Sequence, residues 1–306
     1  MNRQERPLVS VVFSFRNEAE NIPTMIGRVE KVFAALNADY ELIYVNDAST
    51  DGSLSILLGQ RERNPRVKIV NMSRRFGVAE GVLAGMRTAR GDVVVYMDAD
   101  LQDPPEVIPS LIERWRAGAD VVHTVRTHRR GESAMKMAAT RLAYRIIQLG
   151  SSIELPVDAG DFKLLSRAAV DHLLQVRESD PYLRGLVVWL GFNQAVVPYE
   201  REARHAGTTH FPFFSRNPWK TFTIGMTSFS FLPIYLCLVA TILGLGLTCL
   251  LAAAGEGMMA LLTLFWATTM AGIGGIGLYI IRIYKDVRGR PPFIVQSIIG
   301  NDDPRA

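Results

Sequence analysis

Two long stretches without a charged residue place the strongest constraint on how this chain folds. Thr221 to Gly255 spans 35 residues and Gly257 to Ile281 spans 25 residues, with Glu256 between them. A helix needs about 20 apolar residues to cross the hydrocarbon core of a bilayer. The pattern therefore predicts two transmembrane helices, roughly over 229–251 and 258–281. The alternative is a pair of core helices buried inside a large soluble protein.

The charges around these stretches predict their orientation. The turn between them carries only an acid, whereas basic residues precede the first stretch and follow the second: Arg216, Lys220, Arg282, Lys285, Arg288 and Arg290. Loops rich in Lys and Arg stay on the cytoplasmic side of a membrane. We therefore expect a multi-pass protein of the inner (cytoplasmic) membrane with both termini in the cytoplasm. The polar opening MNRQERP lacks the apolar core of a signal peptide.

The first 215 residues alternate strand-like and helix-like patterns. Strand-like runs occur at 8–15, 40–47, 67–73, 92–100, 119–126 and 192–202. Alternation of this kind predicts an α/β fold with a mostly parallel sheet. Ligands bind such sheets at the carboxyl ends of the strands. Three acids fall at such ends: Asp47 at the end of the second strand, and Asp98 and Asp100 at the end of the fourth.

The stretch VVYMDADLQDPPE, residues 94–106, carries four acids at the end of an apolar strand. Alternate residues of a strand point to one face, so we expect Asp98 and Asp100 to reach a common ligand. Hard cations prefer oxygen ligands, and Mg²⁺ usually binds through one or two carboxylates plus substrate phosphates. A solvated strand end is the alternative for a bare D-x-D. Asp103 and Glu106 are assigned to loop geometry and to the first turn of the next helix.

Several blocks of the sequence resemble family 2 glycosyltransferases: SVVFSFRNEAEN, VNDASTDGS, SRRFGVAEGVLAGMRTARGD, MDADLQDPPE and RGLVVWLGF. More narrowly, the chain resembles the polyprenyl-phosphate branch, which includes dolichyl-phosphate mannose synthases and bacterial two-span undecaprenyl-phosphate sugar transferases. The resemblance implies a nucleotide-binding glycosyltransferase A-type domain followed by a two-helix hairpin. It also implies inverting transfer of one sugar from a nucleotide-diphosphate donor to undecaprenyl phosphate. The expected donor is a UDP-hexose, and the expected cofactor is Mg²⁺ or Mn²⁺.

The resemblance also implies roles for individual residues. Those implied to hold the metal ion are Asp98, Asp100 and Gln102. Those implied to bind the donor nucleotide or its diphosphate are Glu18, Asp47, Asp98, Arg204 and His210. Those implied to gather around the acceptor phosphate are Arg126, Lys136, Thr140 and Arg141. Catalysis is assigned to Asp100, to Arg204 and to Asp161, which matches an acid near the acceptor.

The sequence departs from the family pattern at three places. The usual proline and aromatic of the first block are Ser14 and Arg16, and the usual first acid of the second block is Asn46. The usual lysine of the loop that closes over the donor is His210, which carries only part of a positive charge near neutral pH. A phosphate contact and an ordinary loop position both stay open for His210.

The chemistry of the acceptor limits what Asp161 needs to do. The nucleophile would be a phosphate oxygen, whose second pKa of about 6 leaves it mostly ionised at pH 7. A strong general base is therefore hardly needed. We expect Asp161 to orient or polarise its partner more than to take a proton.

These expectations divide the chain into four parts: a catalytic domain (1–210), an interfacial segment (211–228), two transmembrane helices (229–283) and a basic tail (284–306). The expected partners are a nucleotide sugar, a polyprenyl phosphate and the membrane, without nucleic acid; a homo-oligomer is left open. Two other functions also stay open. One is a processive polysaccharide synthase, although we find no Q-x-x-R-W block. The other is a non-catalytic membrane scaffold.

The run GIGGIG at 272–277 matches the G-x-G-x-x-G pattern of dinucleotide-binding proteins. It lies inside the second apolar stretch and no strand precedes it, so the structural context of that motif is missing. Small residues on membrane helices let neighbouring backbones approach closely. We therefore expect this run to pack against another helix.

Overall fold

The computed structural model describes residues 5–129, 159–202, 224, 227–255 and 257–300. These residues form two compact units. The first unit contains the described residues up to 202 together with 291–300. The second unit contains the described residues from 224 to 290.

A mixed sheet of eight strands forms the centre of the first unit, counted over the described part of the chain. The strands are β1 (Leu8–Phe15), β2 (Asp39–Asn46), β3 (Val67–Met72), β4 (Val93–Asp98), β5 (Val121–Arg129), β6 (Ala159–Ser166), β7 (Gln194–Arg201) and β8 (Val295–Ile299). Their order is β7-β5-β6-β4-β1-β2-β3-β8. Strand β1 runs parallel to β2 and β4, β2 to β3 and β5 to β7, while β6 and β8 run antiparallel to their neighbours. The predicted mostly parallel α/β sheet is confirmed.

Helices cover both faces of this sheet. They are α1 (Ile22–Ala34), α2 (Ser53–Arg63), α3 (Val78–Thr88), α4 (Ile108–Arg116), α5 (Arg167–Leu173) and α6 (Leu183–Trp189), with a 3₁₀ turn at Pro105–Val107. Alternate residues of β1 point to opposite layers. Val11 and Phe13 join the buried cluster that includes residues of α1 and α4, whereas Val12 meets Gly85 of α3 so closely that a Cβ at Gly85 would collide with it. The central strand is therefore buried on both sides.

Strand β8 brings the residues that follow the apolar stretches into the first unit. Residues 284–306 were expected to form a basic tail, but Val295–Ile299 pairs antiparallel with β3. The Nδ2 of Asn71 also donates a hydrogen bond of 3.1 Å to Oγ of Ser297. The strand is half-exposed and carries two exposed polar residues, so no apolar run marks it in the sequence. The chain therefore leaves the first unit before the apolar stretches and returns to it after them.

Two long helices make up most of the second unit, α7 (Leu232–Ala253) and α8 (Met258–Val287). Both are long and apolar enough to cross a membrane, with mean hydropathies of 2.4 and 1.6. The turn between them uses Gly255 and Gly257, whose φ angles of 71° and 84° favour glycine. Within the GIGGIG run, Gly275 faces α7, because a Cβ added there would lie 3.0 Å from Sγ of Cys237. At this glycine the expected helix packing is present.

Candidate active site

The loops after β1, β2 and β4 each contain a residue in the left-handed backbone region. These are Asn17, Ala48 and Leu101, with φ angles of 57°, 52° and 63°. Asn tolerates this conformation, whereas other residues with a Cβ adopt it at a cost of about 1–2 kcal/mol. Strained backbone clusters at functional sites, where the surrounding structure holds it in place. The carboxyl edge of the three central strands is therefore the candidate site.

Replacement of Ala48 by Gly tests this strain. Glycine relieves the left-handed penalty but adds backbone entropy to the unfolded chain, so we expect Ala48→Gly to stabilise the protein by about 0.5–1 kcal/mol. Urea unfolding of the full-length protein measures the change. The matched control is Ala35→Gly, because Ala35 is exposed with a φ of −96° and should gain nothing. Equal effects of the two substitutions would contradict strain at Ala48.

The acidic turn, residues 98–106, differs from the sequence prediction in where it places Asp100, which lies in the turn and not on the strand. Strand β4 ends at Asp98, so strand alternation does not place Asp100. A bend follows instead, in which Leu101 has a left-handed backbone and Oδ1 of Asp100 accepts the backbone N–H of Gln102 at 3.1 Å. Asp98 is half-buried and Asp100 is 5% exposed. A tight turn, rather than a shared strand face, brings these two acids together.

The acids of this turn fit a divalent cation. Burial, together with the negative charges of Asp100, Asp103 and Asp161, raises the pKa of Asp98 to about 8, while Arg201 works in the opposite direction. One oxygen of Asp103 is buried without a hydrogen-bond donor among the described residues. A bound cation would relieve this mutual repulsion and would require Asp98 to lose its proton. No group of three or more His, Cys, Asp or Glu side chains within the described residues could hold a metal ion. A cation at this turn would therefore have at most two such side chains as ligands within the described residues.

Asp103 lies in the loop after β4, as expected, but it makes contacts that the sequence did not predict. Its side chain is fully buried, and Oδ1 accepts a short hydrogen bond from the hydroxyl of Tyr199 on β7. Arg126 and Arg201 approach the same oxygen at 3.9 Å and 3.7 Å. Burial raises the pKa of Asp103 in spite of these two cations. The side chain thus connects the acidic turn to β5 and β7.

Asp161 on β6 is held by an arginine that the sequence analysis did not name. Nε and Nη2 of Arg184 donate to its two carboxylate oxygens at 2.8 Å and 2.5 Å. Burial works to raise the pKa of Asp161, but the charges and hydrogen bonds of Arg184, with Lys163 and Arg126, outweigh it and hold the pKa well below its usual range. A carboxylate of this kind is a poor base. Arg184 is the first residue of RGLVVWLGF, one of the blocks that resemble family 2 glycosyltransferases. Its position in this block is the feature of the sequence that could have marked it as a site residue.

Asp47 and Glu18 hold loops at the same edge of the sheet. The carboxylate of Asp47 accepts the backbone N–H groups of Phe76 at 2.7 Å and Gly77 at 3.1 Å. The carboxylate of Glu18 accepts from Nδ2 of Asn21 at 2.6 Å. Asp47 therefore fixes the loop between β3 and α3, and donor binding by either acid stays a prediction.

The predicted acceptor residues fall partly within the described structure. Arg126 on β5 donates from Nε to the hydroxyl of Tyr199 at 3.1 Å and lies next to Asp103. It therefore stands close to the acids at the carboxyl edge. The other predicted contacts lie outside the described residues: Lys136, Thr140, Arg141, Arg204 and His210.

Comparison with solved structures identifies the fold class. Glucosyl-3-phosphoglycerate synthase from Mycobacterium tuberculosis, solved in complex with Mn²⁺, uridine diphosphate and phosphoglyceric acid, superimposes with a TM-score of 0.52 at 19% identity. The match covers 72% of this chain and 76% of that one. This likeness shows the fold alone, which is the A-type fold of glycosyltransferases.

The sequence gives a narrower assignment within this class. Residues 10–174 match glycosyl transferase family 2, and the chain belongs to this family. An uncharacterized glycosyltransferase of Bacillus subtilis (strain 168), YkcC, is 37% identical over 97% of this chain and 95% of its own length. A prophage bactoprenol glucosyl transferase homolog of Escherichia coli (strain K12) is 33% identical over 95% of this chain and 99% of its own length. The predicted family is confirmed.

Proposed function

We propose that this glycosyltransferase transfers one hexosyl group from a UDP-hexose to undecaprenyl phosphate, with inversion at the anomeric carbon. The acidic turn at the end of β4 is the observation that carries the proposal, because its clustered carboxylates suit a cation bound to a diphosphate. The near full-length similarity to a bactoprenol glucosyl transferase homolog supports the lipid acceptor. The product would be an undecaprenyl-phospho-hexose.

The donor would bind at the acidic turn. In this proposal Asp98, Asp100 and Gln102 hold Mg²⁺ or Mn²⁺ together with the oxygens of the donor diphosphate. When bound, the ion would neutralise the negative charge that develops on the departing diphosphate. Asp47 and Glu18 would bind the donor nucleotide, since both lie in loops that follow β1 and β2 at this edge of the sheet. Arg204, and His210 if it reaches the phosphates, would add charge-assisted contacts.

The acceptor phosphate would approach on the side of Asp161. Its bidentate contact with Arg184 keeps Asp161 ionised and oriented. Because the acceptor oxygen is already largely ionised at pH 7, Asp161 would position the acceptor group rather than accept a proton from it. The acceptor phosphate itself would be bound by cationic and hydroxyl side chains, namely Arg126, Lys136, Thr140 and Arg141.

The lipid acceptor explains why the chain carries two apolar helices. We propose that α7 and α8 cross the cytoplasmic membrane within the segment 229–283, and that the aromatic and basic residues of 211–228 lie at its interface. Because the chain returns to the sheet at β8, a hairpin that crosses twice has both ends on the side of the catalytic domain. Residues 1–210 and the tail 284–306 would then face the cytoplasm.

A donor panel tests the proposal. The full-length protein is incubated with undecaprenyl phosphate, Mn²⁺ and one donor at a time: UDP-glucose, UDP-N-acetylglucosamine or GDP-mannose. The lipid product is identified by its mass in a mass spectrometer. We expect one added hexose with UDP-glucose and none after chelation of the metal. A polymeric product would instead indicate a processive synthase. If no donor gives a product and no nucleotide shifts the melting temperature with Mn²⁺, the scaffold alternative would be supported, since a ligand that binds the native state raises that temperature.

A further inference from the structure

Arg28 on α1 joins two acids that lie far apart in the sequence. Its Nε and Nη2 donate to the carboxylate of Glu106 at 2.9 Å and 2.6 Å. Its Nη1 and Nη2 donate to the carboxylate of Glu202 at 3.0 Å and 2.8 Å. The side chain of Arg28 is only 23% exposed. One guanidinium thus makes two bidentate contacts, which we call the Arg28 clamp.

The two acids belong to segments that also touch each other directly. Glu106 ends the acidic turn, and Glu202 directly follows β7. The backbone N–H of Glu202 donates to the carbonyl oxygen of Gln102 at 2.9 Å. The hydroxyl of Tyr199 on β7 donates to Asp103 within the turn. The acidic turn and the end of β7 are therefore tied together on their inner side, and the Arg28 clamp ties them on the outer side.

We infer that Arg28 is a positioning residue for the acidic turn. By fixing Glu106 and Glu202 it holds the turn that presents Asp98, Asp100 and Gln102 against the end of β7. The consequence for donor binding rests on the proposed function, whereas the mechanical link does not.

The geometry of the contact requires an arginine. A guanidinium presents its donors in a planar fork and can serve two carboxylates in a bidentate manner, whereas an ammonium is a point charge on a flexible stem. Lysine at position 28 would keep the charge and lose the fixed geometry. Both acids are half-exposed, so solvent screens part of their attraction to Arg28, and we expect the clamp to act mainly on the local geometry of the turn. Glu106 and Glu202 are 52% and 48% exposed.

Hydrogen exchange tests the clamp without any metal or substrate. We expect Arg28→Met to speed amide exchange in 98–106 and in 194–202, and to leave the central strand β2 unchanged. Arg28→Lys should resemble Arg28→Met rather than the native chain. The matched control is Arg6→Met, because Arg6 makes a single exposed contact of 2.8 Å with Asp39. Glu202→Gln removes one arm of the clamp in a milder way, should Arg28→Met fold poorly.

Calorimetry tests the consequence for the donor site. We expect Arg28→Met to weaken binding of UDP with Mn²⁺ by about tenfold or more, the size of effect known for groups that support metal ligands. The melting temperature should change by less than about 3 °C, because the ion pairs are half-exposed. The combination of Arg28→Met with Glu202→Gln should weaken binding less than the product of the single effects, since both act on one contact.

If Arg28→Met leaves the amide exchange rates of 98–106 unchanged, the clamp is overturned. It is also overturned if Arg28→Lys keeps the exchange rates of the native chain and its affinity for UDP with Mn²⁺. Unchanged binding of UDP with Mn²⁺ beside faster exchange would overturn the donor-site consequence alone. Failure of the native chain to bind UDP would overturn the same consequence together with the proposed function. The exchange experiment would still decide whether Arg28 positions the turn.

Discussion

Asp100→Asn is expected to lower kcat by about a thousandfold or more if Asp100 holds the cation as proposed, because an amide binds a divalent cation more weakly than a carboxylate and the cation is what neutralises the departing diphosphate. The native side chain is 5% exposed and is already oriented by its contact with the N–H of Gln102, so the loss should fall on chemistry rather than on folding. Initial rates of glycolipid formation with Mn²⁺ at saturating donor measure the effect. The control is Asp171→Asn, an exposed acid paired with Arg167 on α5.

Comparison with Asp161→Asn gives this prediction its mechanistic content. Asp161 is held by Arg184 with a pKa well below its usual range, so it has little capacity to take up a proton. We therefore expect Asp161→Asn to lose a smaller factor in kcat, about a hundredfold or less, with part of the loss in the KM for the lipid acceptor. Equal losses in kcat for the two variants would contradict the assignment of Asp161 to orientation.

Glu41→Ala should lower the free energy of unfolding by about 3–5 kcal/mol, the cost of removing one partner from a buried ion pair. Glu41 on β2 lies toward the end of the sheet opposite the acidic turn. Its carboxylate pairs with Nζ of Lys68 at 2.6 Å and accepts from the hydroxyl of Ser10 and the N–H of Arg90 at 2.5 Å and 2.7 Å. Urea unfolding measures the loss. Activity per folded molecule should stay unchanged.

The effect of Glu41 should depend on pH in one direction. Burial works to raise the pKa of Glu41, but its contacts with Lys68, Ser10 and Arg90 outweigh it and lower that pKa. A lowered pKa means that the stabilisation is complete above the unfolded value of about 4.3 and is lost as pH falls through the folded pKa. The difference between the native chain and Glu41→Ala should therefore shrink below about pH 4. The control Asp39→Ala, which breaks an exposed pair with Arg6, should cost less than about 1 kcal/mol.

The features that were predictable from the sequence are those encoded in contiguous residues. An apolar run that ends in an acid predicted each of the strands β2 and β4. The acids Asp47 and Asp98 lie at the carboxyl edge of the sheet, as expected. The long uncharged stretches marked α7 and α8. Each of these signals depends on the period of hydrophobicity or on a strand end, both of which are local properties.

The features that were missed depend on contacts between distant residues. Arg28 and Glu202 are separated by 174 positions, and no local pattern connects them. Asp103 was assigned to loop geometry, but its contacts with Tyr199 and two arginines were not predicted, because these residues are distant in the sequence. The left-handed backbone of Ala48 and Leu101 could not be predicted from the sequence, because Ala and Leu rarely adopt this conformation.

The return of the chain at β8 decides how a catalytic fragment of this protein can be made. A fragment that ends before α7 lacks Val295–Ile299, and β3 then becomes the edge of the sheet. Its unpaired N–H and C=O groups would be free to pair with a second fragment, the usual origin of edge-to-edge aggregation. The sheet is also completed only after both apolar helices have been synthesised, so the enzyme reaches its final fold late in translation. A soluble version should therefore keep residues 291–300 and join them through a flexible linker long enough to cross the sheet, because β7 and β8 lie at its opposite edges.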